Sequence, residues 1–388
     1  MISSANLYAN IWNDIYQRFL NNKLHHALLF NGQIGLGKFN FAYELAKTLL
    51  CENHQSHQNH QNHQNNNNNN LIATACNNCK SCQLFNTNNH PDLRLVIPEN
   101  LQNNILENKN TKSEKNDKND KSEKKSTSFS KNILIEQVRE LSDFLVLTTN
   151  RKGLRIIIIY PAETMNNNCA NALLKSLEEP LPQTLFLLIT NKIGQLLPTL
   201  KSRCEIINFA LPNQQNTLSW LKLLPNIANK NNAEINSALA YCNQSPLLAE
   251  QILNTNFLNN TNWLKQFLQA LEKPKQIDFI ALSAIIEKES KNSDSNAINS
   301  AMNFSLILLC DVLQKWLVDL ILLYYLNNNK YFINYKKSQQ ELIKNTNINI
   351  KKLLQFWNEV IILKKQSLQP LNSRIFIEDL FMKYRNIF

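Results

Sequence analysis

Glycine and proline are scarce: the 388 residues hold 5 of the first and 11 of the second, which excludes collagen-like and other fibrous classes. A secretory leader is not expected, because the opening MISSANLYANIWNDIYQRFL has no basic segment followed by an apolar run. No membrane span stands out either. The most apolar stretch, residues 305–326, carries Asp311, Lys315 and Asp319, whereas a span needs roughly 20 nearly uncharged residues. It reads as a buried helix in a cytoplasmic protein with no membrane partner. A disulfide framework is not expected. Of 8 cysteines, Cys76, Cys79 and Cys82 crowd into one turn, a spacing for metal binding in a reducing compartment rather than for cross-links.

The chain does have enough length for two or three domains and a sizeable core, with 43% hydrophobic and 18% charged residues. A net charge of +11, from 41 basic and 30 acidic residues, admits a polyanionic partner without requiring one. Two segments are low in complexity. Residues 53–70 consist only of Asn, Gln, His and Ser, and residues 101–131 carry 8 lysines against 5 acidic residues, a local charge of +3. Neither is expected to bury apolar surface, so both are read as surface insertions, with a nucleic-acid-binding tether the other reading for residues 101–131.

Between the insertions the pattern is α/β. Residues 28–30 form a short apolar strand that runs into a glycine-containing turn. Ala42, Leu45, Ala46, Leu49 and Leu50 then mark one face of a helix. Leu134, Val138, Leu141 and Leu145 repeat that spacing. Residues 156–159 are four consecutive isoleucines, as in a strand buried on both faces. A helix with Ala170, Leu173, Leu174 and Leu177 on one side ends at Pro180, and residues 185–189 and 206–209 are read as two more buried strands. Strands alternating with helices predict a parallel sheet covered on both faces. Beyond Pro212 the pattern is helical. The expected organisation is an α/β domain over 1–211, a small helical domain over 212–256 and a helical C-terminal domain over 257–388.

The turn Gly32-Gln33-Ile34-Gly35-Leu36-Gly37-Lys38-Phe39 has the G-x-x-x-x-G-K spacing of a P-loop. Glycines there let backbone N–H groups face phosphate oxygens, and the lysine and helix N-terminus add positive charge. The next residue should bring a hydroxyl for magnesium, and Phe39 brings none. Hydrolysis also needs acids at the end of a buried strand. Tyr160 and Pro161 stand there, while Glu163 comes later and is read as helix-capping or solvated. Two readings remain for Lys38: a solvated lysine at a helix start, or weak residual phosphate binding.

Further segments resemble the clamp-loader branch of AAA+ proteins: His25-His26-Ala27-Leu28-Leu29-Phe30, His90-Pro91-Asp92, the run Asn171-Ala172-Leu173-Leu174-Lys175-Ser176-Leu177-Glu178-Glu179-Pro180, and Ser202-Arg203-Cys204. The resemblance covers residues 25 to about 210. It implies an AAA+ P-loop-like parallel sheet with an inserted zinc module over 51–82, then a small helical lid and a helical oligomerisation collar. The losses at Phe39, Tyr160 and Pro161 are similar to those of the family's delta-prime type, as is Leu247 in Gln244-Ser245-Pro246-Leu247, where ATPase subunits place an arginine. The resemblance further implies a fourth zinc ligand, Cys51, closing the helix before the cluster. One of His54, His57, His60 or His63 in its place, or no metal at all, are the other readings. Zinc held by four protein ligands would be structural.

By the same resemblance Gly32, Gly37 and Lys38 form a degenerate nucleotide site with ATP binding weak or absent. Arg203 is an arginine finger acting in trans; the plainer reading is an ion pair at a strand edge. The expected partners are gamma/tau and delta subunits, the sliding clamp and primed DNA, within the DNA polymerase III holoenzyme. The alternative is an active gamma/tau-type ATPase, which needs the missing metal and water ligands to be compensated. A free-standing zinc module for nucleic acid would need basic and aromatic flanks, and only Lys80 and Phe85 are present.

Overall fold

The computed structural model describes residues 4–53, 73–102, 130–146, 153–276, 278–292, 305–346, 348–367, 369 and 372–388. Residues 54–70 and 103–129 of the two insertions, with His54, His57, His60 and His63, lie outside them. The chain divides into two compact units, Met1–Asn216 and Thr217–Phe388.

The first unit is built on strands β1 (Ala27–Asn31), β2 (Leu93–Val96), β3 (Arg155–Ile159), β4 (Thr184–Thr190) and β5 (Glu205–Asn208). They form one sheet in the order β2-β3-β4-β1-β5, and every pair is parallel. Helices α1 (Ala9–Leu20), α2 (Lys38–Leu49), α3 (Lys80–Asn86), α4 (Ile135–Val146), α5 (Asn167–Glu178) and α6 (Pro198–Lys201) surround it. Successive strand residues point to opposite faces, and both faces are covered. Leu28, Phe30, Ile156, Ile158, Leu185 and Leu187 pack with Trp12 of α1 and Phe41 and Leu45 of α2. Leu29, Ile157, Ile159, Phe186 and Leu188 pack with Val138 and Leu141 of α4 and Leu173 and Leu177 of α5. This two-sided burial is why the central strands read as unbroken apolar runs.

The edges depart from the sequence reading. Among the described residues β5 pairs with β1 alone, so one side of it has no described strand partner. Its residues alternate between half-buried and exposed, and Ile206 is 42% exposed, where a buried strand was expected. β2 was not expected at all, because it is four residues long with Arg94 in the middle. Arg94 lies with its guanidinium carbon 4.6 Å from the centre of the Phe144 ring. In α4 the helix starts at Ile135, so Leu134 is exposed and Phe144 joins Val138, Leu141 and Leu145 in the core.

The described part of the second unit is helical. Its longest helix, Leu306–Leu326, holds the apolar stretch noted above, and each of its three charges has a partner. Asp311 pairs with Lys364, and the Lys315 ammonium lies 3.5 Å from the Tyr241 ring centre. The buried Asp319 carboxylate accepts the N–H groups of Lys330, Tyr331 and Phe332 at 2.8, 2.9 and 2.7 Å. No described helix is long and apolar enough to cross a membrane. In the core Trp316 Nε1 donates to the Tyr384 hydroxyl (3.0 Å), which donates to the Leu271 carbonyl (2.8 Å).

Candidate functional site

The P-loop helix ends at Leu49, and Cys51 follows its cap residue Leu50 with no exposed surface. Cys79 caps the N-terminus of α3, its sulfur accepting the Cys82 N–H at 3.3 Å. The same pattern links the other cysteines: the Cys76 N–H donates to Cys51 Sγ and the Cys79 N–H to Cys76 Sγ, both at 3.4 Å. The four sulfurs of Cys51, Cys76, Cys79 and Cys82 lie within 4.8 Å of one another. Cys51 and Cys79 are 3.9 Å apart, and Cys76 and Cys82 4.0 Å. A disulfide bond would be about 2.05 Å. Four sulfurs at a Zn–S length of about 2.3 Å stand about 3.8 Å apart at the corners of a tetrahedron. The donor set therefore fits a metal ion such as zinc. Burial pushes the Cys51 and Cys82 thiols up, while at Cys76 burial is outweighed by hydrogen bonds, which bring the thiol down to about 6; a bound cation would favour the thiolate at each of them. Cys169, Cys242 and Cys310, expected as core residues, are each buried, and among the described residues none belongs to a group that could hold a metal ion.

This module rests on α2. The Tyr43 and Phe85 rings meet edge to face at 4.6 Å, and the Tyr43 hydroxyl donates to Asn88 Oδ1 at 2.8 Å. Lys47 Nζ donates to the side-chain oxygens of Asn77 (2.5 Å) and Asn86 (2.7 Å).

At the other end of α2 lies the P-loop-like turn. Gly35 and Gly37 take φ values of 84° and 82°, left-handed backbone that a side chain disfavours. Gly37 stands at the N-cap of α2 and, having no side chain, provides no side-chain cap. Gly32 is required for a different reason. A Cβ there would lie 2.8 Å from the Phe209 carbonyl oxygen and 3.1 Å from Leu36 Cδ1. We predict that Gly32→Ala destabilises the first unit by about 1–3 kcal/mol through overpacking. Denaturant unfolding measures this, and an unchanged midpoint would show that the turn can yield.

Lys38 is buried, with 4% exposure, which corrects the solvated reading. Its ammonium donates to the carbonyls of Gly32 (2.7 Å) and Gln33 (2.6 Å) and to Asn191 Oδ1 (3.0 Å). Burial pushes its pKa down to about 8, with Glu163 acting against that shift. Glu163 is also not a solvated or helix-capping residue. Its carboxylate accepts the backbone N–H and the Nδ2–H of Asn191, both at 3.1 Å. Asn191 was not singled out from the sequence. The available signal was its place directly after β4, which runs parallel beside β1 and ends at the same edge of the sheet.

Phe39 and Tyr160 face each other at this edge. Their ring centres are 5.1 Å apart, and Phe39 also stacks on Tyr43 at 6.1 Å. Burial raises the Tyr160 phenol above its ordinary pKa, so it is no substitute for a carboxylate. Aromatic rings thus fill the space beside the first turn of α2 and the end of β3.

The sequence model of the family described as "DNA polymerase III, delta subunit" matches residues 8–213. The chain belongs to that family. Among its relatives is the DNA polymerase III subunit delta′ of Haemophilus influenzae, 28% identical over 70% of this chain and 68% of that one. The subunit delta′ of Pseudomonas aeruginosa is 34% identical over 58% of this chain and 55% of its own length. A solved structure of a DNA polymerase III gamma subunit-related protein from Thermotoga maritima overlaps 97% of this chain and 99% of its own. It does so with a TM-score of 0.49 at 15% identity, too low to bear on fold or function.

Two motifs that carried the family resemblance meet in space. Glu178, at the end of α5, pairs with Arg203 at 2.5 Å, and Arg203 also donates to the Thr199 carbonyl at 2.8 Å. The pair is partly open, with Arg203 32% and Glu178 47% exposed at the side chain. Arg203 precedes β5, whereas the P-loop-like turn follows β1. Because β1 and β5 are parallel with Leu28 opposite Glu205 and Asn31 opposite Asn208, the two lie at opposite ends of the sheet. Leu247 is half-buried in the first turn of helix Pro246–Thr255, in the second unit.

Proposed function

We propose that the chain is a non-hydrolysing delta-prime subunit of a bacterial clamp loader, which serves the ATP site of a neighbouring subunit and has no working site of its own. The observation that carries this reading is the contact between Phe39 and Tyr160. Phosphoryl transfer of the P-loop type depends on a hydroxyl that helps hold magnesium and on acids that hold the metal and orient water. Here those places are aromatic, and Lys38 is spent on two turn carbonyls and Asn191. The Gly32, Gly37 and Lys38 turn would bind ATP weakly or not at all.

Arg203 is the residue through which the subunit would act. At about 3.3 Å per strand residue, the four residues of β5 alone separate it from its own turn by roughly 13 Å. It would therefore act on a phosphate presented by another subunit. A guanidinium suits that task, being permanently charged and able to bind phosphate oxygens bidentately. Zinc on Cys51, Cys76, Cys79 and Cys82 would fill all four positions of a tetrahedron, leaving none for substrate, so its role would be structural. Residues 212–256 would be the lid and 257–388 the collar that joins gamma/tau and delta subunits. The complex would load the sliding clamp onto primed DNA in the cytoplasm as part of the DNA polymerase III holoenzyme.

Reconstitution tests this. The purified chain mixed with gamma/tau and delta subunits of the same organism should co-elute as one complex and complete its clamp-loading activity. Separate elution, with loading unaffected by leaving the chain out, would overturn the proposal.

A further inference from the structure

We propose that Ser81 and His90 form a positioning relay that holds two segments of the cysteine site in register, a role that rests on the metal-binding reading of the four cysteines. Leu50 directly precedes Cys51, and Ser81 directly precedes Cys82. The Ser81 hydroxyl donates to the Leu50 carbonyl at 2.6 Å, one of the last carbonyls of α2, which have no partner within the helix. One hydrogen bond thus joins the neighbours of two ligands whose segments are 31 positions apart in sequence.

The rest of the relay follows from proton counting. Ser81 has a single hydroxyl proton, and it is spent on Leu50. Its oxygen, 2.8 Å from His90 Nε2, must accept there, so the imidazole proton is on Nε2. The other side of the ring gives the same answer independently. His90 Nδ1 accepts the Asp92 N–H at 3.1 Å and so carries no proton. Ser81, His90 and Asp92 are 1%, 3% and 2% exposed, so water cannot replace these bonds. Asp92 directly precedes β2. The relay runs from the end of the P-loop helix, through Ser81 and His90, to the edge strand of the sheet. Both ring nitrogens of His90 are engaged, so it is a positioning residue and not a ligand.

A tetrahedral site needs its four sulfurs preset within a few tenths of an ångström, and groups behind the ligands commonly contribute 10–100-fold to metal affinity. The module has other tethers to α2, through Tyr43, Phe85 and Lys47, so loss of the relay should loosen the site without unfolding it.

The test is cobalt(II) titration of the reduced, metal-free full chain against a competing chelator, following thiolate–cobalt absorption. Ser81→Ala and His90→Phe should each weaken cobalt binding about 10–100-fold and alter the absorption band. Their combination should be no worse than either alone, because they remove one connected unit. His90→Gln, whose amide N–H can still reach Ser81, should recover part of the loss, which a defect in packing alone would not allow. Wild-type affinity and spectrum in all variants would overturn the relay while leaving the metal site intact. Additive losses in the double variant would overturn it as a connected unit. A wild-type chain that gives no thiolate–cobalt spectrum would overturn the metal reading and this proposal with it.

Discussion

Arg203→Ala in the reconstituted complex should lower turnover at the ATP site it faces by about 10³–10⁵-fold, the usual cost of losing an arginine finger. Whole-complex turnover should fall less if, as proposed, Arg203 serves one of several ATP sites. The substitution separates function from folding well. The ion pair that it breaks, with Glu178, is partly exposed on both sides, and such pairs contribute about 0–1 kcal/mol. Folding and assembly should therefore survive. Glu178→Ala, which releases the arginine without removing it, should keep most of the turnover. Arg203→Lys should rescue poorly, since an ammonium lacks the bidentate fork. Undiminished turnover with Arg203→Ala would rule out the finger. A complex that fails to assemble would instead assign Arg203 to the fold.

Cys51→Ser should abolish near-stoichiometric zinc and lower the melting temperature of the first unit by roughly 5 °C or more, a loss of a few kcal/mol for a unit of this size. Structural zinc contributes folding free energy directly. Here the ligand at stake joins the P-loop helix to the segment holding the other three cysteines. Cys310→Ser, in the second unit, should leave zinc content unchanged. Elemental analysis and thermal unfolding report both effects, and unaltered zinc in Cys51→Ser would remove Cys51 from the ligand set.

The central strands were legible in the sequence because burial on both faces leaves no polar position in residues 156–159 or 185–189. The edge strands were not. β2 is short and charged, and β5 is half open, so neither produces an apolar run. Three of the four clustered cysteines announce themselves by spacing. The fourth, Cys51, lies 24 residues before Cys76 across a polar tract, and only the family resemblance pointed to it. Of the two readings of Lys38, the solvated one fails for a physical reason. Its burial depends on carbonyls of its own turn and on Asn191, 153 positions later, a contact that local pattern cannot encode. Glu163 was misread with it, because its hydrogen bonds go to that same Asn191. Ser81 and His90 were likewise invisible as a pair, since nothing in their spacing indicates that one hydroxyl joins two helices.

The most direct test of the central claim is magnesium-dependent ATP turnover by the purified chain alone, with and without primed DNA. No turnover above background is expected. Phe39→Thr should not restore it, because Tyr160 would still stand where an acid is needed. Turnover by the wild-type chain that disappears in Lys38→Ala would overturn the non-hydrolysing role and make this subunit a motor in its own right.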